Sequence, residues 1–359
     1  MQLHPVSLLV ALLMALRGLR SSSLSHSGAL TAFLLGYLTL ANSLRVFGVC
    51  LLGFYLAGSK ATRVKAAIKA TYEAPENDGA PLSPPGKPAL GEASTVAHGG
   101  GGRRTATQVL CNALVGSSCA FAWRVLYSGE FSAASGWEDE RWCVVGRFGE
   151  GDARKSSRAL VLAAVGFWAA CCGDTALRKR SLSFSFSFPL AIASPPFIPP
   201  LTPSPTIQLG ILSRSSPLLI TRPFSGPVPR GTNGGVSGWG TLVSLFGGVL
   251  VGVLAVTCLI IQGQGETCGA AGLGEVVGVA AVAGLGGSLL DSFLGALLQP
   301  SYYSSTRSLI VHSPSPSPKQ PGEKIIRVKG SGWDVLSNNG VNAVMGVTAA
   351  GVVGWWAML

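Results

Sequence analysis

Charge is what this sequence has least of. Asp, Glu, Lys and Arg make up 12% of its 359 residues, against about 25% in soluble proteins, and the mean hydropathy is +0.43. So few charged residues exclude an ordinary soluble enzyme. The net charge of +11 fits membrane orientation and attraction to anionic lipid headgroups, and it argues poorly for a nucleic acid partner in so apolar a chain.

Metal-ligand and disulfide patterns are also absent. The four histidines (4, 26, 98 and 312) are scattered, and the eight cysteines form no paired CxxC motif. We therefore predict neither a zinc site nor a disulfide framework. The adjacent Cys171 and Cys172 are expected to pack inside a helix, because neighbouring cysteines rarely bridge.

What the chain has is long apolar runs. They span residues 3–16, 28–44, 46–59, 106–123, 159–173, 238–262, 270–298 and 341–359. Because a membrane helix needs about 20 apolar residues, they predict an all-α fold, a single polytopic membrane domain over 1–359 with about eight (six to ten) transmembrane helices. The first run could be a signal peptide, but Arg17 and Arg20 follow it rather than precede it, which favours a membrane helix.

The basic residues favour one side of the membrane. With eight helices, 20 of the 27 Lys and Arg residues fall in connections on one side and 7 on the other. The positive-inside rule makes the first side cytoplasmic and places both termini outside. Three segments interrupt the bundle: a disordered cytoplasmic linker at 74–102, a proline-rich segment at 176–208, and a Ser/Pro-containing loop at 301–330.

A glycine-rich loop leads into the apolar run that starts at 238. It reads Arg230-Gly231-Thr232-Asn233-Gly234-Gly235. Glycines let backbone N–H groups point into one concavity, and the N-terminus of the next helix adds positive charge, which suits a phosphate. A turn whose glycines only let membrane helices pack closely is the alternative.

Three more polar clusters interrupt the apolar runs, on the same predicted face. They are Gly173-Asp174-Thr175, Asp291-Ser292 and Asn338-Asn339-Gly340-Val341-Asn342. An acid inside a membrane helix is costly, so Asp291 is a functional candidate, with a paired structural acid as the alternative. Asp174 could cap a helix, although a carboxylate at a helix C-terminus opposes the macrodipole. Two acids for Mg²⁺ and N–H groups for phosphate would suit a nucleotide or lipid-phosphate site.

At these residues the chain resembles the transmembrane protein 19 family, also called domain of unknown function 92. The segments that carry the resemblance are 23–30, 54–62, 108–112, 173–175, 209–213, 217–220, 228–237, 291–292 and 338–342. The resemblance implies an integral membrane protein. In plants and cyanobacteria the family includes phytyl-phosphate kinase, which converts an isoprenoid monophosphate to the diphosphate. Gly-Asp followed by Gly-Thr also looks like the signature of CTP-using dolichol and phytol kinases.

One departure from the family pattern concerns residues 176–208. The family continues after Gly-Asp-Thr with an aromatic residue, Ala-Ser-Glu and Leu-Gly, whereas here 176–208 separate Thr175 from Leu209-Gly210. Because this segment divides a motif and is too rich in proline for a helix, we predict a retained intron or a gene-model error. Loss of the family's Glu would remove a metal ligand or base, and this isoform could then be inactive.

The residues and the resemblance together favour a nucleotide-dependent kinase of a prenyl or other lipid monophosphate, with CTP or ATP as donor. The candidate catalytic residues are Asp174 and Asp291, which would hold Mg²⁺, and Arg230, which would neutralise developing charge. Phosphate or nucleotide would bind the Gly231, Thr232, Asn233, Gly234 and Gly235 loop and Asn338, Asn339 and Asn342.

A transporter or a non-enzymatic membrane scaffold is the alternative. In it, glycine-broken helix ends at 231–240 and 284–288 would form a midplane site. The sequence does not identify the lipid, the nucleotide or the organelle, and the endoplasmic reticulum is our expectation for this multi-pass chain.

Overall fold

The predicted helices are all present in the computed structural model. It describes residues 3–69, 103–129, 131, 137, 142–146, 152–177, 217–311, 314 and 322–359, with only the backbone at 60–69, 152–153 and 175–177. Within these ranges the helices are α1 (Pro5–Arg20), α2 (His26–Leu40), α3 (Val46–Lys69), α4 (Ala106–Tyr127), α5 (Asp152–Leu177), α6 (Gly238–Ile261), α7 (Gln264–Leu298) and α8 (Asn338–Met358). The predicted linker at 74–102 and most of the predicted insertion, 178–208, lie outside the described residues, while 176 and 177 end α5.

Helix α5 is the centre of the bundle. It contacts α3, α4, α6, α7 and α8, and its stretch Arg154–Asp174 is the most buried of the five described helices that are long and apolar enough to span a bilayer. The other four are less than half buried, as expected for helices with one face on lipid. The polar residues at the end of α5 therefore lie among its neighbours rather than at the lipid surface.

Small residues let α6 and α7 approach closely. A side chain at Gly248 would strike the carbonyl of Ala280, and one at Gly284 would lie 2.6 Å from the Cα of Gly248. The hydroxyls of Ser244 and Ser288 hydrogen bond across the same contact at 3.0 Å. Close backbone approach and an interhelical hydrogen bond are the usual ways to join helices in a membrane.

Serine caps fix the start of three helices at one end of the bundle. The hydroxyls of Ser25, Ser237 and Ser337 accept the backbone N–H three residues later, at the starts of α2, α6 and α8. Each bond satisfies an amide that the first helical turn leaves unpaired. Because the helices alternate in direction, α1, α3, α5 and α7 finish at this end, which we call the site end.

The predicted helical bundle is confirmed, and two small sheets accompany it at the site end. The strands are β1 (Leu218–Leu219), β2 (Arg222–Pro227), β3 (Gly235–Val236), β4 (Tyr302–Ser304), β5 (Leu309–Val311) and β6 (Ile325–Arg327). Both sheets are antiparallel, in the orders β2-β1-β3 and β5-β4-β6. The second sheet lies within the segment predicted as a Ser/Pro-containing loop. Most of these strands have two or three residues, too few for an alternating pattern to appear in the sequence.

The opposite end of the bundle holds a disulfide bond that the sequence analysis did not predict. Cys143, between α4 and α5, is bonded to Cys268, at the start of α7. No spacing rule could pair them, because the two cysteines lie 125 residues apart in the chain. The prediction for Cys171 and Cys172 is confirmed, since neither is disulfide-bonded and both are buried within α5.

Candidate functional site

A cavity of about 300 Å³ lies at the site end, between α1–α4 and the facing ends of α5 and α8. Its polar lining residues are Tyr55, Arg104, Gln108, Asn112, Asp174, Asn338, Asn339 and Asn342. Four of the sequence-predicted site residues, Asp174 and the three asparagines, are thus brought into one space. A carboxylate, a guanidinium and several amides around one cavity can bind a phosphate together with a metal ion.

Asp174 reaches this cavity because Gly173 lets α5 pack tightly between α6 and α7. A side chain at residue 173 would strike the carbonyl of Gly284, and Gly247 also packs against the backbone of Gly173. Asp174 is only 4% exposed. Gly173 thus allows the close contact with α7, and the next residue, Asp174, is the acid that lines the cavity.

Asp291 joins the same cluster through α8. With the amide of Asn342 oriented to satisfy both neighbours, its nitrogen donates to Oδ1 of Asp291 and to the carbonyl of Asn338, each at 3.2 Å. Asp291 is 5% exposed and does not itself line the cavity. Both Asp291 and Asp174 lie close enough to Cys171 to interact electrostatically with its thiol, so the two acids of α5 and α7 belong to one region.

Arg104 is a site residue that the sequence analysis missed. It lies just before α4, and its backbone bonds to the segment before α2: Arg104 N donates to Ser23 O, and Ser25 N donates to Arg104 O, both at 3.0 Å. Gly28 packs directly on the carbonyl of Arg104. The Ser23–Leu30 segment that contributes to the family resemblance therefore positions this arginine.

Burial gives Arg104 an electrostatic character that a surface arginine lacks. It lowers the pKa of the Arg104 guanidinium, and nearby Tyr55 acts in the opposite direction. A charge held away from bulk water interacts more strongly with a neighbouring anion, because less solvent screens it. Arg104 is accordingly the cation of the cavity lining and a candidate phosphate ligand.

The rest of the cavity is apolar. Its wall comes from α1, α2, α3 and their connections: Ala11, Met14, Ala15, Leu24, Ala32, Leu35, Gly36, Leu40, Leu51, Leu52 and Phe54, with Val109 and Ala113 from α4. The outer faces of α1 and α2 expose leucines such as Leu12, Leu16 and Leu34. These two helices thus separate the cavity from the region that lipid would occupy.

The glycine-rich loop lies at the site end but outside the cavity lining. Thr232 N donates to Pro229 O at 3.2 Å, Asn233 N to Ser301 Oγ at 2.9 Å, and Gly235 N to Thr232 O at 3.1 Å. Gly234, at φ +78°, lies against Ala296 of α7, where a side chain would clash. These contacts favour the packing alternative. A phosphate role for this loop and for the half-buried Arg230 stays a prediction.

The donor set of the cavity is compatible with Mg²⁺ rather than with a transition metal. Among the described residues, no group of three or more His, Cys, Asp or Glu could hold a metal. Mg²⁺ needs fewer protein ligands, because one or two carboxylates bind it together with substrate phosphates and water. Asp174, with the amide oxygens of Asn338 and Asn339 nearby, fits such a role, and Asp291 lies behind Asn342.

Comparison with known proteins agrees with this architecture. The family profile described as "Integral membrane protein DUF92" matches residues 9–176 and 208–350. "Protein PGR" of Arabidopsis thaliana is 31% identical over 343 residues, which cover 94% of this chain and 90% of that protein. No solved structure matches the chain. The family match omits 177–207, while the origin of the predicted insertion stays a prediction.

Proposed function

The chain belongs to the DUF92 family of integral membrane proteins, and on that premise we propose that it is a nucleotide-dependent kinase of a lipid monophosphate. The substrate class is an isoprenoid monophosphate, and the donor is CTP or ATP. The observation that carries the proposal is that one cavity is lined by a carboxylate, an arginine and four asparagines at one side and by apolar side chains at the other.

The polar half of the cavity would bind the phosphates. Arg104 pairs with the lipid phosphate, and Asn338 and Asn339 orient it by hydrogen bonding. Phosphoryl transfer requires mainly that donor and acceptor are held in line and that charge on the transferred oxygens is neutralised. A partly buried guanidinium serves this better than a fully exposed one, because less solvent screens its charge.

Asp174 would be the principal protein ligand of Mg²⁺. Asp291 acts behind it, through the hydrogen bond from Asn342, by fixing that amide and adding negative charge to the region. The metal ion, when bound, supplies charge neutralisation at the donor phosphates. The acids of α5 and α7 and the asparagines of α8 then act as one unit.

The apolar half of the cavity would hold the start of the isoprenoid chain. Burial of each methylene stabilises the complex by about 0.8 kcal/mol, so an apolar wall beside a phosphate site selects lipid phosphates over sugar phosphates. Because α1 and α2 form this wall and expose leucines on their other face, a lipid would enter between helices from the bilayer.

A product assay tests the proposal directly. Full-length protein and a version lacking residues 176–208 are purified in detergent and supplied with phytyl, farnesyl or geranylgeranyl monophosphate, Mg²⁺, and CTP or ATP. We expect the diphosphate, and its loss in Asp174→Asn but not in Asp334→Asn, which changes an exposed acid before α8. No diphosphate from either form with any of these substrates would reject the kinase proposal.

The same preparations separate the kinase from a transporter. In sealed proteoliposomes, a transporter would accumulate a labelled lipid phosphate or nucleotide without converting it. A kinase would release the nucleoside diphosphate in step with the lipid diphosphate. Accumulation of unchanged substrate that depends on Asp174 would favour the transporter.

A further inference from the structure

We infer that Cys143 and Cys268 form a structural disulfide in an oxidising compartment, so that the site end of the bundle, where the cavity lies, is on the opposite, reducing side of the membrane. The bond lies at the end of the bundle remote from the cavity and does not depend on the proposed kinase activity. Disulfides persist in secretory or periplasmic spaces and are rare where glutathione and thioredoxin act.

The segment that carries Cys143 is held against the α6–α7 connection by hydrogen bonds other than the disulfide. Val144 N donates to Oε1 of the fully buried Gln264 at 3.1 Å. On its other side, the indole N–H of Trp123 donates to Ser157 Oγ at 2.8 Å, and that hydroxyl donates to Val144 O. The cysteine is thus placed by neighbours on α4, α5 and α7.

Cys268 is positioned by a break in α7. Gly269, the next residue, has φ +63°, so the short turn that begins at Gln264 is set apart from the long part of α7. Both bonded cysteines are partly exposed at this end. They are therefore accessible to a thiol–disulfide oxidoreductase, in contrast to Cys50, Cys171 and Cys172, which are buried and not disulfide-bonded.

An oxidoreductase of this kind forms the bond by thiol–disulfide exchange. One cysteine thiolate attacks the enzyme's disulfide to give a mixed disulfide, and the second thiolate displaces the enzyme's sulfur. Two electrons pass to the oxidoreductase, which leaves as a dithiol, while the two cysteine thiol protons are transferred to it. Such enzymes work on the non-cytoplasmic side of membranes.

The distribution of positive charge gives the same orientation independently. By sequence position alone, 20 of the 27 Lys and Arg residues belong to the predicted cytoplasmic side, on which the site end falls. The disulfide lies at the other end, together with both ends of the described chain, residues 3 and 359. Two unrelated physical signals, redox chemistry and charge, therefore agree.

Thiol trapping in cells tests the bond. Cells that express the full chain are quenched with acid, free thiols are blocked with N-ethylmaleimide, and newly reduced thiols are labelled with polyethylene-glycol maleimide. We expect two added labels, found by peptide mass mapping at Cys143 and Cys268. The Cys143→Ser variant should lose both, and Cys111→Ser should keep both. No reduction-dependent label on the unsubstituted chain would overturn the inference.

Labelling from one side tests the compartment. In Cys268→Ser, the thiol of Cys143 is free, and a membrane-impermeant maleimide is added to sealed vesicles whose cytoplasmic face is outward. We expect Cys143 to react only after the vesicles are permeabilised. Labelling of Cys143 in sealed vesicles would place this end in the cytoplasm and refute the orientation, whatever the enzymatic assay shows.

Discussion

The side-chain nitrogen of Asn342 donates a hydrogen bond to Oδ1 of Asp291 at 3.2 Å, which joins the start of α8 to an acid inside α7. Asn342 also lines the cavity, whereas Asp291 does not. The asparagine is therefore the link through which a buried acid of α7 influences the cavity, and Asp174 lines the same polar side of that cavity.

Replacing Asn342 by Ala should impair the proposed kinase without unfolding the protein. The hydrogen bond to a charged group is worth about 1.5–3 kcal/mol, so we expect kcat to fall roughly 10- to 100-fold. The matched control is Thr348→Ala, an exposed polar residue on the same helix. Initial rates of diphosphate formation for the three proteins measure the effect, and an unchanged kcat in Asn342→Ala would exclude this role.

Replacing Arg104 by Gln should weaken binding of the lipid phosphate. Loss of the charge-assisted pair should raise KM for the lipid monophosphate by about 10- to 100-fold. Arg104→Lys should restore only part of the affinity, because Lys cannot make two parallel hydrogen bonds to a phosphate. Arg103→Gln changes the exposed neighbour and is the control. If both Gln variants behaved alike in a titration with substrate, Arg104 would not be the phosphate ligand.

Gly173→Ala should destabilise the bundle. The added methyl would meet the backbone carbonyl of Gly284, which cannot move aside as a side chain could, and overpacking of this kind costs about 1–3 kcal/mol. Gly286→Ala on α7 is the control, since nothing lies within 4 Å of a side chain there. Thermal unfolding in detergent should show a lower Tm for Gly173→Ala and an equal or higher Tm for Gly286→Ala; equal stability of the two variants would contradict this packing.

An ion pair between a buried arginine and a partly buried glutamate, at the end remote from the cavity, should matter for stability. Arg158 Nη2 contacts Glu275 Oε1 at 2.7 Å, Arg158 Nη1 donates to Ala357 O at 2.6 Å, and the guanidinium stacks on Trp356. Glu275→Gln should lower the free energy of unfolding by about 3–5 kcal/mol, because the buried charge of Arg158 is then less well compensated.

The control for this pair is Glu266→Gln, which changes an exposed acid in the first turn of α7. The double variant Arg158→Met with Glu275→Leu should be more stable than Glu275→Gln alone, since it removes both charges. Thermal unfolding of the three variants measures the difference. A loss of Tm in Glu266→Gln as large as in Glu275→Gln would show that burial of the pair is not the cause.

The helices were predictable from the sequence because each depends on local composition. A run of apolar residues must form a helix in a bilayer, since no water is available to its backbone groups. The polar candidates Asp174, Asp291 and Asn342 were predictable for a related reason. Polar residues inside apolar runs are energetically costly in a membrane, so their presence indicates a functional role. Their presence at one end followed from the alternating direction of the helices.

Arg104 was not predictable, because it precedes α4 in a connection where a basic residue is ordinary. Its role depends on Ser25, whose hydroxyl bonds to the Arg104 carbonyl across 79 residues of chain. The glycine-rich loop is the opposite case, because there the sequence indicated a site and the structure shows packing contacts. Its composition suggested a phosphate cradle, while contacts with Ser301 and Ala296 engage its backbone in packing.

The sequence by itself determined that this protein is a polytopic membrane bundle with a few acids and amides inside its helices, and its basic residues predict which side is cytoplasmic. Hydrophobicity and charge act on each segment separately, so they can be seen without a structure. Only the tertiary structure decided that Arg104 shares a cavity with Asp174, that Asn342 holds Asp291, and that Cys143 meets Cys268. Those pairings depend on how closely helix ends that are distant in the sequence approach each other. Packing at residues such as Gly173 and Gly28 sets that distance, and no local sequence pattern shows it.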